Sequence, residues 1–353
     1  MQWQLRIACT ALVTIAAAGA AFAQDDRAAK PTSASKAPAL AAPKPAPKPA
    51  IDMAALRVQV LLDRAGFSPG VITGQPNALM TKALRGFQAA RGLPGSGTAD
   101  QATLDALNEG AVEPVRLLAI APDDAAGPFT FPFPKGYPAQ AQLPALNYRN
   151  VLEKLAEKFH TTPATLIALN SPDRSMAAGT KLNLPNVLPT SRDYDPALPA
   201  DWRGTLSSLN VDATQPEGKR VVVDKSDGVL RVYDGEDKLI AQFPATMGSS
   251  HDPLPIGKWT IKGASYNPTF HYNPALFWDA SSKDKKATLP AGPNGPVGVA
   301  WLDLSKPHYG IHGTPNPELI GRSESHGCIR LANWNVARLS LMVKPGTPAV
   351  FQP

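Results

Sequence analysis

The sequence predicts a multidomain protein: a mostly-β domain of antiparallel sheets over 217–353, preceded by a three-helix domain at 51–110 and a small α+β module at 147–187. Three observations carry this. Apolar residues recur at helical spacing over the first region, as in Leu56, Val60 and Leu61. Short β-branched runs over the last are broken by the hairpin turns Ser226-Asp227-Gly228 and Asp234-Gly235. The 37 prolines are spread unevenly, so linkers are expected at 24–50, 111–146 and 188–216.

Taken in order, Arg6, the apolar run Ile7 to Ala18 and Ala21-Phe22-Ala23 before Gln24 read as a secretory signal peptide at 1–23. The alternative is a membrane anchor, but the run is short for a span. No integral membrane span is expected after cleavage. Cys9 lies inside the apolar run and leaves with it, so Cys328 is the one cysteine of the exported chain. An odd thiol in an exported protein is either reactive or an inert buried group. The net charge of +6 stays positive once Arg6 is removed and suits an anionic cell-wall polymer. Nucleic acid is a poor fit, because no basic run with interleaved aromatics occurs.

The stretch 24–50 is Ala, Pro and Lys, cannot bury a core and reads as an extended tether. In 51–110, Leu84 and Phe87 share a helix closed by Gly92, and Asp100 caps a last helix with Leu104 and Leu107. In 147–187, Asn150 and Glu153 form a capping box, Thr162-Pro163 starts a second helix, and Lys181 to Pro185 is a closing strand. Within 217–353, strands are expected at 220–224, 229–233, 239–246 and 259–262. A helix over 334–343 is expected to be capped by Asn333. Residues 265–296 are long, irregular and aromatic, as befits a lid or a cover for the core edge.

The chemistry concentrates in Ile311-His312-Gly313-Thr314-Pro315 and Ser325-His326-Gly327-Cys328-Ile329-Arg330. An imidazole that takes its proton makes a thiol a good nucleophile. Gly327 lets the backbone turn sharply, and N–H groups around Cys328 can stabilise an oxyanion. A zinc site at Cys328, His312 and His326 lacks the usual paired-cysteine spacing, so no metal is expected. A papain-like site would place the cysteine before its histidine.

Three family resemblances follow from these residues. Ala65-Gly66-Phe67-Ser68-Pro69-Gly70, Ala83 to Gln88 and Gly97-Thr98-Ala99-Asp100 resemble a type-1 peptidoglycan-binding domain, with Thr73-Gly74 where that family has Asp-Gly. The six residues Ser325 to Arg330, the upstream His312-Gly313, Pro255-Ile256-Gly257 and Gly292 to Gly298 resemble the YkuD-type L,D-transpeptidase catalytic domain over about 217–351. Leu169-Asn170 and Gly179-Thr180-Lys181-Leu182 resemble a degenerate LysM glycan-binding module without its opening strand motif.

The YkuD resemblance implies Cys328 as nucleophile and His312 as base and later acid. It implies that the Gly313 carbonyl orients His312, that His326, Gly327 and Cys328 supply the oxyanion region, and that Ser325 and Arg330 support the loop. His251, His271 and His308 match no family position. The implied reaction needs no cofactor: Cys328 attacks the third residue of a peptidoglycan tetrapeptide stem, D-alanine leaves, and the thioester passes to an amine. The acceptor is another stem, in a 3→3 crosslink, or a wall-attached protein. Carbapenems should acylate the same thiol. The implied location is the periplasm, and the implied partners are stem peptides and glycan. A hydrolase on the same scaffold and a non-catalytic wall-binding protein are the alternatives.

Overall fold

Three short polar side chains start the three N-terminal helices. Asp52 accepts from Ala54 and Ala55 at the head of α1 (Met53–Arg64), Asn77 from Met80 at α2 (Ala78–Ala90), and Asp100 from Thr103 at α3 (Gln101–Leu107). The computed structural model describes residues 50–108 and 112–353. The expected signal peptide, Cys9 and nearly all of the 24–50 tether lie outside them. Phe67 meets Phe87 edge-on at 5.6 Å in the core of these helices. At the Thr73-Gly74 turn, the buried Gln59 carbonyl accepts from both backbone N–H groups. A glutamine from α1 thus supplies bonds to the turn where the resemblance leads one to expect an aspartate.

Of the segment 111–146, read as a linker, the described residues 112–146 carry secondary structure. Strand β1 (Val115–Ala119) is followed by the short helices α4 (Pro122–Ala125) and α5 (Tyr137–Gln140). Next come α6 (Val151–Lys158), α7 (Pro163–Leu169) and strand β2 (Lys181–Pro185), which pairs antiparallel with β1. Only half of the expected capping box forms. Asn150 accepts from Glu153, but the Glu153 carboxylate receives the N–H of Arg149. Leu155, Leu166 and Leu182 share one core with Leu56, Val60 and Ile72 of the helical domain. The two modules are therefore fused.

The segment 188–216 is no linker either. It carries α8 (Ala200–Ser208), whose Trp202 and Leu206 are fully buried in the C-terminal core. That core lies on a sheet of nine strands, built in chain order from β3 (Arg220–Asp224), β4 (Val229–Tyr233), β5 (Leu239–Pro244), β6 (Thr246–Met247) and the long β7 (Gly257–Tyr266). The flap strands β8 (Phe270–Tyr272) and β9 (Ala287–Leu289) pair only with each other. The irregular 265–296 loop of the sequence reading is in this respect a two-stranded flap. The large sheet continues with β10 (Ala300–Leu304), β11 (Gly310–His312) and β12 (Ile329–Arg330). Helix α9 (Asn333–Met342) and strand β13 (Pro348–Gln352) close the chain.

The strand order is β5-β4-β3-β13-β7-β10-β11-β12-β6. It is not purely antiparallel, since β13–β3 and β11–β12 run parallel. The first of these follows from α9, which carries the chain back so that β13 enters beside β3. The second places Ile329 and Arg330, just after Cys328, alongside Ile311 and His312.

Helix α9 explains why the modules stay together. Its start is not capped by Asn333, which is its first residue; Ala332 precedes it with no side-chain bond. Nearly every residue of α9 is buried, including Asn333, Asn335 and Arg338. A buried polar group needs a partner, and here the other modules supply it. Asn335 donates to Ser68 (3.0 Å), Arg338 to the Asp63 carbonyl (2.9 Å), and Asn333 to Glu157 (2.8 Å). Trp334 stacks on His160 at 4.9 Å. Among the described residues no helix is long and apolar enough to cross a membrane.

Candidate active site

Two strands and one turn assemble the site. β11 ends in His312, β12 begins just after Cys328, and the parallel pairing of the two strands sets them side by side. The turn before β12 is fixed by Ser325. Its hydroxyl donates to the Cys328 carbonyl (2.6 Å) and accepts from the Gly248 N–H (2.7 Å). Gly327 sits at φ +90°, where a side chain is strained, and a Cβ there would meet the Tyr309 ring at 2.7 Å.

His312 is buried, with Nδ1 2.7 Å from the Gly313 carbonyl. A carbonyl only accepts, so Nδ1 carries the hydrogen, and the neutral ring keeps a lone pair on Nε2. Trp301 stacks on the same ring at 5.3 Å. Burial, helped by the nearby Arg330 charge, presses the imidazole pKa down to about 3, against a small upward pull from the Gly313 bond. Burial also pushes the Cys328 thiol up, although the Gly310 N–H and Arg330 pull it down. The resting pair is therefore neutral thiol and neutral imidazole.

Gly313 is held from behind. The Asn333 side-chain oxygen lies 2.1 Å from where a Gly313 Cβ would stand, so only glycine fits. The same oxygen accepts from the Val299 N–H, while the amide nitrogen donates to Glu157 and to the Pro293 carbonyl. Glu157 belongs to α6, in the middle module.

Cys328, His312, His326 and Arg330 line one cleft of about 660 Å³, within the range of small-molecule sites. Arg330 donates to the Glu324 carbonyl (3.4 Å), a contact that holds the turn. His326 faces the flap, with Nε2 2.9 Å from Asp279 and its ring edge-on to Phe277. His308, in the left-handed region at φ +68°, presents its carbonyl 3.8 Å from the Cys328 sulfur. His271 bonds Thr288 in the flap, and His251 stacks on the exposed Trp278. Among the described residues no group of three His, Cys, Asp or Glu side chains is arranged to hold a metal ion.

The sequence reading did not place Trp301, Asn333, Glu157, Asp279 or Tyr137 at the site. Nothing local marks them, since each reaches the site through tertiary packing. The one available signal was Asn333 and Asn335, two polar residues that open a helix rich in apolar residues.

Residues 218–351 match the family described as the YkuD L,D-transpeptidase catalytic domain, and 55–107 match the family described as "Putative peptidoglycan binding domain". "Putative L,D-transpeptidase YkuD" of Bacillus licheniformis is 34% identical over 134 residues, covering 38% of this chain and 66% of its own. "Putative L,D-transpeptidase in ATP synthase subunits region ORF 5" of Fuscovulum blasticum is 32% identical, covering 48% of this chain and 88% of its own. The solved "L,D-transpeptidase from Mycobacterium smegmatis" is 23% identical with a TM-score of 0.31, covering 38% of this chain and 58% of its own. The chain spans 34–66% of the length of the first curated relatives it matches. The chain belongs to the YkuD family of L,D-transpeptidases.

Proposed function

We propose that the protein is a peptidoglycan L,D-transpeptidase of the periplasm, with Cys328 as nucleophile and His312 as base. One observation carries this. The Gly313 carbonyl occupies Nδ1 of His312, which leaves Nε2 able to accept in the cleft that holds the only cysteine among the described residues. As Cys328 sulfur attacks the carbonyl carbon of the third stem residue, Nε2 takes the thiol proton. Backbone N–H groups around Gly327 and Cys328 hold the oxyanion. The tetrahedral centre collapses, the C–N bond breaks, and the D-alanine amine leaves with the proton from Nε2. A thioester remains. The acceptor amine then gives a proton to Nε2 and attacks; the C–S bond breaks, and the sulfur recovers the proton.

The acceptor is another stem's third-residue amine or a lysine of a wall-attached protein. In this reading Ser325 and Arg330 keep the turn in shape and His326 borders the oxyanion region. The helical domain holds wall polymer. The middle module, where β1 supplies a strand to pair with β2, holds glycan in the manner of a LysM module.

Intact-mass spectrometry with purified disaccharide-tetrapeptide tests the assignment. The expected result is an adduct equal to substrate minus D-alanine, absent from Cys328→Ala. An added acceptor amine then separates transfer from hydrolysis. No adduct, no released D-alanine and no carbapenem adduct would leave a wall-binding protein.

A further inference from the structure

The segment 127–146 lies outside both matched families, yet it forms part of the cleft wall. It is anchored at one end by Leu146, whose N–H donates to the Ala291 carbonyl and whose carbonyl accepts from the Asn294 N–H (2.9 and 3.0 Å). The fit there is close: a Cβ on Gly292 would stand 2.3 Å from the Leu146 oxygen. Leu146 packs with Tyr272 and Leu289 of the flap in a small core of their own, joined by Phe133, Tyr137 and Leu143. The segment and the flap are thus one packed unit.

Tyr137 opens α5 and is the one residue of this segment that reaches the cleft, beside Cys328 and Arg330. Its ring is locked by Tyr272 at 4.5 Å and Phe270 at 6.1 Å. Burial raises its hydroxyl pKa, so the phenol stays neutral and can both donate and accept. A cation, Arg330, and a carboxylate, Asp279, line the same cleft and both act on this hydroxyl. A wall that offers an aromatic residue together with both charges suits a group carrying both charges.

Resting on the function proposed above, we infer that Tyr137 is a substrate-contacting residue that selects the donor, receiving the amino-acid end of the third stem residue's side chain together with Arg330 and Asp279. The substrate class is a tetrapeptide whose diamino acid keeps both an ammonium and a carboxylate on that end. The module ahead of the catalytic domain therefore contributes to specificity.

The test uses the full chain and the protection of Cys328 against iodoacetamide by tetrapeptide, each variant normalised to its own peptide-free rate. Two peptides are compared, one with diaminopimelate and one with lysine at position three. Tyr137→Ala should raise the half-protecting concentration of the diaminopimelate peptide by about tenfold or more, as for loss of a packed aromatic contact. Tyr137→Phe should raise it by roughly two- to tenfold, the range for one neutral hydrogen bond. Both should narrow the gap between the two peptides. Tyr137→Phe guards against misfolding in the alanine variant, and a melting curve is recorded for each. Unchanged protection in Tyr137→Ala, or an equal loss for both peptides, overturns the inference while the wild type still binds and releases D-alanine. A wild type that is neither protected nor able to release D-alanine overturns the function proposed above, and this inference with it.

Discussion

His312 and His160 are both buried, and their surroundings differ in the one respect that decides their use. His312 spends a single nitrogen on structure, through Gly313, and leaves the other facing the cleft. His160 spends both. Its Nδ1 lies 2.9 Å from Asp63 and its Nε2 2.8 Å from the Leu209 carbonyl, at the seam where three modules meet. Arg338 of α9 joins the same Asp63. Burial alone would raise the Asp63 carboxyl, but His160 and Arg338 outweigh it and hold its pKa at about 2. The same ring chemistry thus suits a base where one nitrogen is free, and acts as a rivet where neither is.

Substitution should separate the two roles, most sharply at the cleft. His312→Gln keeps the approximate volume and removes the proton acceptor. Acylation of Cys328, followed by D-alanine release, should slow by about 10²–10⁴-fold, the usual worth of a general base. Stability should change by no more than about 1.5 kcal/mol, the scale of one lost hydrogen bond. A rate within tenfold of wild type would mean that another group takes the thiol proton.

The seam should respond the other way round. Asp63→Ala leaves His160 and Arg338 buried without their carboxylate, and breaking such a buried pair costs about 3–5 kcal/mol. Urea denaturation should show that loss, while the fraction still folded acylates Cys328 at the wild-type rate. If the rate fell in proportion to stability, the seam and the cleft would be one functional unit.

The difference between the regions also sets what the sequence could reveal. The turn that carries Cys328 is written locally. Ser325 to Cys328 form one turn whose internal bonds depend on adjacent residues, and Gly327 is needed for its φ. Those residues were legible because their chemistry and their contacts share a few positions. The seam is written across more than 250 residues, from Asp63 to Arg338. Its signature is polar residues buried by modules that the sequence does not announce as neighbours. The same cause made 111–146 and 188–216 look like linkers. Their prolines are real, but Trp202 and Leu146 bury completely, against partners far away in the chain. The helices at 53–64 and 78–90 were legible from apolar residues at helical spacing, and the one at 101–107 from its cap Asp100.

Glu157 belongs to both regions, and its effect should be smaller and visible in pH. The Tyr148 hydroxyl and the Asn333 amide bond to it, and the charges that face it, Glu153 and Glu318, are both negative. Burial raises its carboxyl from 4.5 to about 7. The folded state then binds the proton more tightly than the unfolded one, so this contribution is complete below about pH 4.5 and is lost as pH rises through 7. Glu157→Gln keeps the shape and an acceptor for Asn333 and removes the ionisation. Its stability should match wild type near pH 5 and exceed it at pH 8 by something on the order of 1–3 kcal/mol. His312 pulls in the opposite direction, losing stability as pH falls from 6.5 toward 3, but that term is common to both proteins and cancels in the difference. Urea titrations of both proteins at pH 5, 6, 7 and 8 read the slope directly. A parallel pair of curves would mean that Glu157 stays ionised, held by Asn333 and Tyr148 alone.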